Sequence, residues 1–99
     1  MKFTWDETKR QANLKKHGLD FADAELVFAG YTLTRQDKRF AYDEFRFYTI
    51  GLLGVEVMVI AHTETVDEIR IISMRKAERY AQENNFASLW WIGWSARLD

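Results

Sequence analysis

The sequence from Phe45 to Arg75, FRFYTIGLLGVEVMVIAHTETVDEIRIISMR, decides the fold. It contains three runs rich in aromatic and β-branched residues, at 45–52, 55–63 and 68–74, with short turn segments between them. Runs of this length and composition predict β-strands. Parallel neighbours would need crossovers of a dozen or more residues, so connections this short predict an antiparallel meander.

The amino-terminal residues predict a short strand and two helices. The strand covers residues 2–5. The first helix begins after Asp6, whose side chain can cap it, and ends near His17, because Gly18 suits the left-handed conformation that terminates helices. A second helix follows Asp20, since apolar residues recur there at helical spacing.

The remaining segments complete the predicted fold class. A short strand is predicted at 31–36, a loop or hairpin end at 37–44, and a helix from about 75 to 84. The class is α+β: two amino-terminal helices packed on a small antiparallel sheet, a three-strand meander plus one or two short strands, and a carboxyl-terminal helix. The Trp-rich segment 86–99 is either a terminal helix packed on the domain or an apolar surface for a second subunit, giving a possible homo-oligomer, or for another partner.

Length and composition limit the class of protein. A chain of 99 residues with 47% hydrophobic content forms one domain, 1–99. It has no cysteine, and no run approaches the roughly 20 apolar residues of a membrane span. We therefore expect a cytoplasmic protein. The net charge of −1 argues mildly against nucleic-acid binding, but basic residues cluster locally at 35–46 and 70–79.

Side-chain alternation sorts the predicted meander into two faces. The more apolar set should lie under the helices; it contains Phe45, Phe47, Thr49, Val57, Val59, Ala61, Ile69 and Ile71. The other set should expose a group of polar residues together: Arg46, Tyr48, His62, Glu64 and Arg70. Parity alone puts Arg75 on the apolar side, so its membership of the polar group requires a twist or a bulge.

The polar group has the residue types that RNA cleavage without a metal requires. The 2′-hydroxyl must lose a proton and attack phosphorus, the equatorial oxygens gain charge, and the leaving 5′-oxygen must gain a proton. Arginine forks can stabilise the phosphate charge. His62 can act as acid or base near pH 7, and Glu64 can act as base if its pKa is raised. Tyr42 and Tyr48 can stack on a splayed base.

Each of these residues also has a purely structural interpretation. Mixed Arg and Glu residues on a sheet face commonly form cross-strand ion pairs of little net value. A single histidine such as His62 is more often a hydrogen-bonded structural residue than a catalyst. His17, next to Gly18, is most simply a cap for the last carbonyls of its helix.

Three separated segments resemble, in order and spacing, the BrnT toxins of type II toxin-antitoxin pairs. The segments are FTWDETKRQANLKKHGLDF, DKRFAYDEFRFYTIG and VIAHTETVDEIRIISMRKAERYA, and the resemblance covers residues 3–81. It implies a RelE-like fold and an endoribonuclease that slows translation. It also implies neutralisation by a BrnA-type antitoxin, in a complex that represses its own operon and contacts DNA only through that antitoxin.

The resemblance assigns family motifs to positions of this sequence. The HTE motif falls on His62, Thr63 and Glu64, the RIIS-x-R motif on 70–75, and the R-x-x-Y-x-E-x-R motif on Arg39, Tyr42, Glu44 and Arg46. The predicted catalytic residues are His62, Glu64, Arg70 and Arg75. The predicted RNA-binding residues are Arg39, Tyr42, Arg46, Tyr48 and Lys76.

No metal or cofactor is expected. A competing hypothesis is a catalytically silent member of the same fold that acts through a partner in a DNA-bound regulatory complex. A small structural interaction domain is a third.

Overall fold

A computed structural model describes residues 1–38 and 45–77, which form a five-stranded sheet with two α-helices. In neither of these ranges is a helix long and apolar enough to cross a membrane. The strands lie in the order β1-β5-β4-β3-β2. The elements are β1 (Lys2–Trp5), α1 (Glu7–His17), a 3₁₀ turn (Phe21–Asp23), α2 (Ala24–Phe28), β2 (Thr32–Gln36), β3 (Phe47–Leu53), β4 (Glu56–Glu64) and β5 (Glu68–Lys76).

The predicted meander is confirmed, because β3, β4 and β5 pair in succession and antiparallel. The expectation of a purely antiparallel sheet is wrong. β1 pairs with β5 in parallel, with Lys2 opposite Glu68 and Trp5 opposite Ile71. The chain between these two strands includes both helices and three strands, so it is long enough for the crossover that parallel pairing requires. The sheet is therefore mixed.

The predicted boundaries of the first helix are confirmed. Asp6 Oδ1 accepts a hydrogen bond of 3.1 Å from the Lys9 backbone N–H, and Gly18 has φ of 70°. The second helix begins as predicted at Asp20, which accepts a 2.9 Å hydrogen bond from the Ala22 N–H. It is a 3₁₀ turn followed by the short α2.

The predicted start of the carboxyl-terminal helix is wrong, because β5 continues through Lys76. Residues 75 and 76 still pair with β4, Arg75 opposite Val59 and Lys76 opposite Met58. The rest of that predicted helix, most of the predicted 37–44 loop and the segment 86–99 lie outside the described residues.

The main hydrophobic cluster lies on one side of the sheet, which we call the helix face, and Ile50, Val57 and Val59 are buried on the opposite side. The 3₁₀ turn and α2 pack on this face, and α1 contacts β5. The packing at Gly51 requires glycine, because a Cβ there would lie 2.7 Å from Val27 Cγ1 and 3.0 Å from Thr32 Cγ2. The buried members of the core are Leu19, Phe21, Ala24, Val27, Met58, Ile60, Ile69, Ile71 and Met74.

The predicted division into faces is right for β3 and wrong for β4. Leu53 pairs with Glu56 across a two-residue turn, in which Gly54 has φ of 65°. A positive φ at the first central residue alone is the pattern of a type II′ hairpin turn. A two-residue turn places odd-numbered residues of β3 opposite even-numbered residues of β4. Met58, Ile60 and His62 therefore lie on the helix face, and Val57, Val59 and Ala61 lie on the opposite one.

Candidate nucleic-acid interface

A β-bulge in β5 brings two predicted catalytic arginines to the same side of the sheet. His62 pairs with Ile71, but Ala61 pairs with Ser73, so Ile72 is an extra residue in β5. The extra residue reverses the alternation. Arg70 before the bulge and Arg75 after it therefore share the side opposite the helix face. The bulge that the sequence analysis required for Arg75 is present.

The strand register arranges this side in rows across the sheet. Thr4, Arg70 and Thr63 are neighbours in one row, and the ladder extended by one residue adds Arg46. The next row contains Ser73, Ala61, Tyr48 and Arg35, and the third contains Arg75, Val59, Ile50 and Leu33. We call the polar part of this side the arginine face: Arg35, Arg46, Tyr48, Ala61, Thr63, Arg70, Ser73 and Arg75.

Burial differs strongly between the two ends of this side. Ile50 and Val59 are fully buried, and Tyr48 is only 8% exposed. Arg70 is exposed, and Thr63 and Ser73 are half-buried. Arg75 is half-buried as a whole, but its Nε and Nη2 atoms are buried in the row of Ile50 and Val59. The accessible end thus has small side chains, Thr63, Ala61 and Ser73, between arginines. Small side chains flanked by arginines leave room for a phosphate backbone and supply the cations that bind it.

His62 does not lie on the arginine face, and the prediction that it is exposed beside Arg46, Tyr48 and Arg70 is wrong. Its side chain is 0% exposed. The ring stacks on Phe47 with centroids 5.9 Å apart, and it meets Phe28 of α2 edge-on at 5.3 Å. The cause is the two-residue β3–β4 turn, which directs the even-numbered side chains of β4 into the core.

A chain of polar contacts runs through the buried imidazole. Thr34 Oγ1 lies 2.7 Å from Thr49 Oγ1, which lies 2.7 Å from His62 Nε2, and His62 Nδ1 lies 3.4 Å from Glu64 Oε1. Burial lowers the pKa of His62 to about 4, so the ring is neutral at pH 7 and carries one N–H.

The carboxylate of Glu64 decides which nitrogen of His62 carries the hydrogen. With the hydrogen on Nδ1, the N–H lies 3.4 Å from the Glu64 carboxylate without a hydrogen bond, Thr49 donates to Nε2, and Thr34 donates to Thr49. With the hydrogen on Nε2, a ring lone pair would face the carboxylate. We therefore assign the Nδ1–H tautomer on electrostatic grounds.

The other predicted residues occupy different places. Lys76 lies opposite Met58 and hence on the helix face, with Nζ 4.0 Å from Glu56 Oε1. Glu64 is the last residue of β4, and about a third of its side chain is exposed. Arg39 and Tyr42 lie outside the described residues. Within the ranges that the structure describes, no three His, Cys, Asp or Glu side chains are placed to hold a metal ion.

No site role was predicted from the sequence for Thr49, Thr63 or Ser73. Thr49 was assigned only to the covered face, and its contact with His62 depends on the β3–β4 register. The signal for that register was present, because a turn limited to Gly54 and Val55 implies it. The bulge at Ile72, which directs Ser73 toward the arginine face, has no comparable signal in the sequence.

Comparison with known proteins gives the class of protein to which this chain belongs, the ribonuclease toxins of type II toxin-antitoxin systems. The family model described as "Ribonuclease toxin, BrnT, of type II toxin-antitoxin system" matches residues 5–80. The 1.1 Å crystal structure of the Brucella abortus ribonuclease toxin BrnT is 32% identical in sequence. It has a TM-score of 0.60, and the match covers 80% of this chain and 99% of that one. A comparison with curated protein sequences gave no match.

The chain belongs to the BrnT family. The predicted resemblance is confirmed, and membership of a type II toxin-antitoxin family implies an antitoxin partner.

Proposed function

We propose that this protein is a metal-independent endoribonuclease whose RNA substrate lies across the accessible end of the arginine face. The observation that supports this is the bulge at Ile72, which puts Arg70 and Arg75 on one side of the sheet. We further propose that RNA cleavage slows translation in the cytoplasm. A BrnA-type antitoxin neutralises the toxin, and DNA is contacted only through that complex.

The rows across the sheet support different roles for Arg46, Arg70 and Arg75. Arg46 and Arg70 lie in one row with Thr63 between them, so their Cα atoms are about 10 Å apart at the usual strand spacing. Their forks can approach one phosphate from two sides. Arg70 lies opposite Thr63 and Arg75 opposite Val59, so the two arginines are separated by four residues of β4, about 13 Å. We assign Arg75 to a neighbouring phosphate.

The proposed reaction is an attack of the ribose 2′-oxygen on the adjacent phosphorus. The new P–O bond forms as the P–O5′ bond breaks, which leaves a 2′,3′-cyclic phosphate and a 5′-hydroxyl. One proton leaves the 2′-hydroxyl and one is added to the 5′-oxygen. Arg46 and Arg70 stabilise the charge that accumulates on the equatorial oxygens, and charge stabilisation of this kind is commonly the largest single term in catalysis.

Neither of the predicted proton-transfer residues, His62 and Glu64, lies on the arginine face. Glu64 pairs with Ile69 of the core and therefore lies on the helix face, about one-third exposed at the end of β4, and the neutral imidazole of His62 is fully buried. We therefore propose that the arginines act by charge stabilisation and that His62 and Glu64 have a structural role.

The test is expression of the protein without its antitoxin, beside a variant in which Arg70 and Arg75 are both replaced by alanine. Wild-type expression should arrest growth and produce RNA fragments ending in 2′,3′-cyclic phosphate. The folded double variant should do neither, and a chelator should leave cleavage by purified protein unchanged. Unimpaired growth with intact RNA on wild-type expression would refute the ribonuclease proposal. A fully toxic, folded double variant would refute the site.

A further inference from the structure

We propose that Asn13, which lies on α1 and away from the arginine face, is a positioning residue that keeps Arg75 on that face by holding the bulged part of β5. This inference rests on the proposed function. It concerns how the fold maintains the site rather than a group that touches RNA.

Asn13 takes over the pairing of β5 where β1 ends. The last β1 pair is Trp5 with Ile71, and Ile72 is the bulge residue. The next contact on this edge is made by the Asn13 side chain. Its Oδ1 accepts a 3.2 Å hydrogen bond from the Met74 backbone N–H, and its Nδ2 donates a 2.8 Å hydrogen bond to the Met74 carbonyl oxygen. The amide thus replaces one residue of a neighbouring strand.

The surroundings of Asn13 specify an amide of this length. The residue is buried, and Nδ2 also donates a 3.1 Å hydrogen bond to the Leu19 carbonyl oxygen. Aspartate lacks the two donors and would place a charge against two carbonyl oxygens. Alanine would leave the Met74 N–H and carbonyl without this partner, and a buried polar group without a partner is destabilising.

The link from Asn13 to Arg75 is short. Arg75 follows Met74 directly, so fixing both backbone groups of Met74 also fixes the peptide that carries Arg75. The carboxyl end of α1 lies close enough to Arg75 for an electrostatic interaction with its charge. The pKa of His17 is lowered by burial and then by the positive charges of Lys16 and Arg75. Without the Asn13 contact, β5 can lose the bulge, and regular alternation would return Arg75 to the helix face.

The experiment is a double-mutant cycle on RNA cleavage by purified protein. We expect Asn13→Ala to lower kcat by up to about 10²-fold, the scale of a 1 Å misplacement. The same substitution should have almost no further effect in an Arg75→Ala protein, and its full effect in an Arg70→Ala protein. Gln11→Ala is the matched control on α1, since Gln11 is exposed and bonds only to Glu7 in the described contacts.

Amide hydrogen exchange gives a second measurement that does not depend on activity. In Asn13→Ala, exchange should accelerate at residues 73–76 and remain unchanged in β3. If Asn13→Ala does not fold, Asn13→Ser, which keeps one donor and one acceptor, takes its place in the cycle.

Three results would overturn the inference. They are full activity in the folded variant, an equal loss in the Arg70 and Arg75 backgrounds, or unchanged exchange at 73–76. A wild-type protein that cleaves no RNA would instead refute the proposed function, and the exchange experiment would still report whether Asn13 holds β5.

Discussion

His62 Nε2 lies 2.7 Å from Thr49 Oγ1. The contact joins the neighbouring strands β4 and β3 on the helix face. Both side chains are 0% exposed. The hydrogen bond therefore satisfies two polar groups that water cannot reach, and it ties the second strand of the meander to the first. In this fold the histidine of the HTE motif is part of the core.

The burial of His62 predicts that acid destabilises the protein. The pKa is about 4 in the folded state and 6.5 for the ordinary group. Between these values the unfolded chain binds a proton that the folded chain does not. The contribution of neutral His62 to the free energy of unfolding is thus complete above pH 6.5. It falls as the pH drops toward 4, by about 3 kcal/mol in total. Urea unfolding at pH 7, 5.5 and 4.5 measures it.

The control for the acid prediction is the second histidine. Because burial also lowers the pKa of His17, it adds a contribution of the same sign. The pH slope of stability should be shallower in His62→Gln than in His17→Gln. Equal slopes in wild type and His62→Gln would show that His62 does not titrate below its normal range.

Removal of the Thr49 hydroxyl should destabilise the protein more than removal of the neighbouring Thr34 hydroxyl. Thr49→Val keeps the shape but leaves His62 Nε2 without its donor, a loss of about 1–3 kcal/mol. Thr34 is exposed, so water can replace its contact with Thr49 and Thr34→Val should change stability by under about 1 kcal/mol. Denaturant midpoints distinguish the two, and ¹⁵N NMR should show the His62 hydrogen on Nδ1. A hydrogen on Nε2 would contradict the assigned hydrogen-bond directions, in which Thr34 donates to Thr49 and Thr49 donates to His62.

Arg75 and Lys76 form a matched pair, because they are adjacent basic residues on opposite sides of β5. Arg75→Ala should lower RNA cleavage by about 10-fold to 10²-fold, because it removes a charge-assisted hydrogen bond to the neighbouring phosphate, worth about 1.5–3 kcal/mol. Lys76→Ala should leave cleavage within a few-fold of wild type, although sequence reasoning assigned Lys76 to RNA binding. Single-turnover rates on one RNA measure both. Equal losses would indicate a general charge effect, which added salt would then reduce equally for both variants.

Gly51→Ala should destabilise the fold, and Gly30→Ala should not. The new methyl at residue 51 would lie 2.7 Å from Val27 Cγ1, so α2 would have to move away from β3. Overpacking of this kind typically costs about 1–3 kcal/mol. At Gly30 the nearest atom to a new Cβ is the Val27 carbonyl oxygen at 3.8 Å, an ordinary contact. Thermal unfolding of both variants tests the comparison, and an unchanged melting temperature for Gly51→Ala would argue against this close approach.

The sequence predicted most elements because local residues specify them. Asp6 and Gly18 bound α1 through a side-chain cap and a left-handed residue. The three apolar runs became β3, β4 and β5 in antiparallel succession. The parallel pairing of β1 with β5 had no local signal, because the two strands are more than sixty residues apart and their contact depends on how the intervening chain packs.

The sequence by itself determined the meander, the capped helix and the arginines at 70 and 75, since periodicity, capping and motif order act within a few residues. The tertiary structure decided which residues share a face. The number of residues in the Gly54 turn placed His62 in the core, and one extra residue at Ile72 put Arg75 beside Arg70. Alternation has a period of two, so a shift of one residue in register reverses the side on which every later side chain lies.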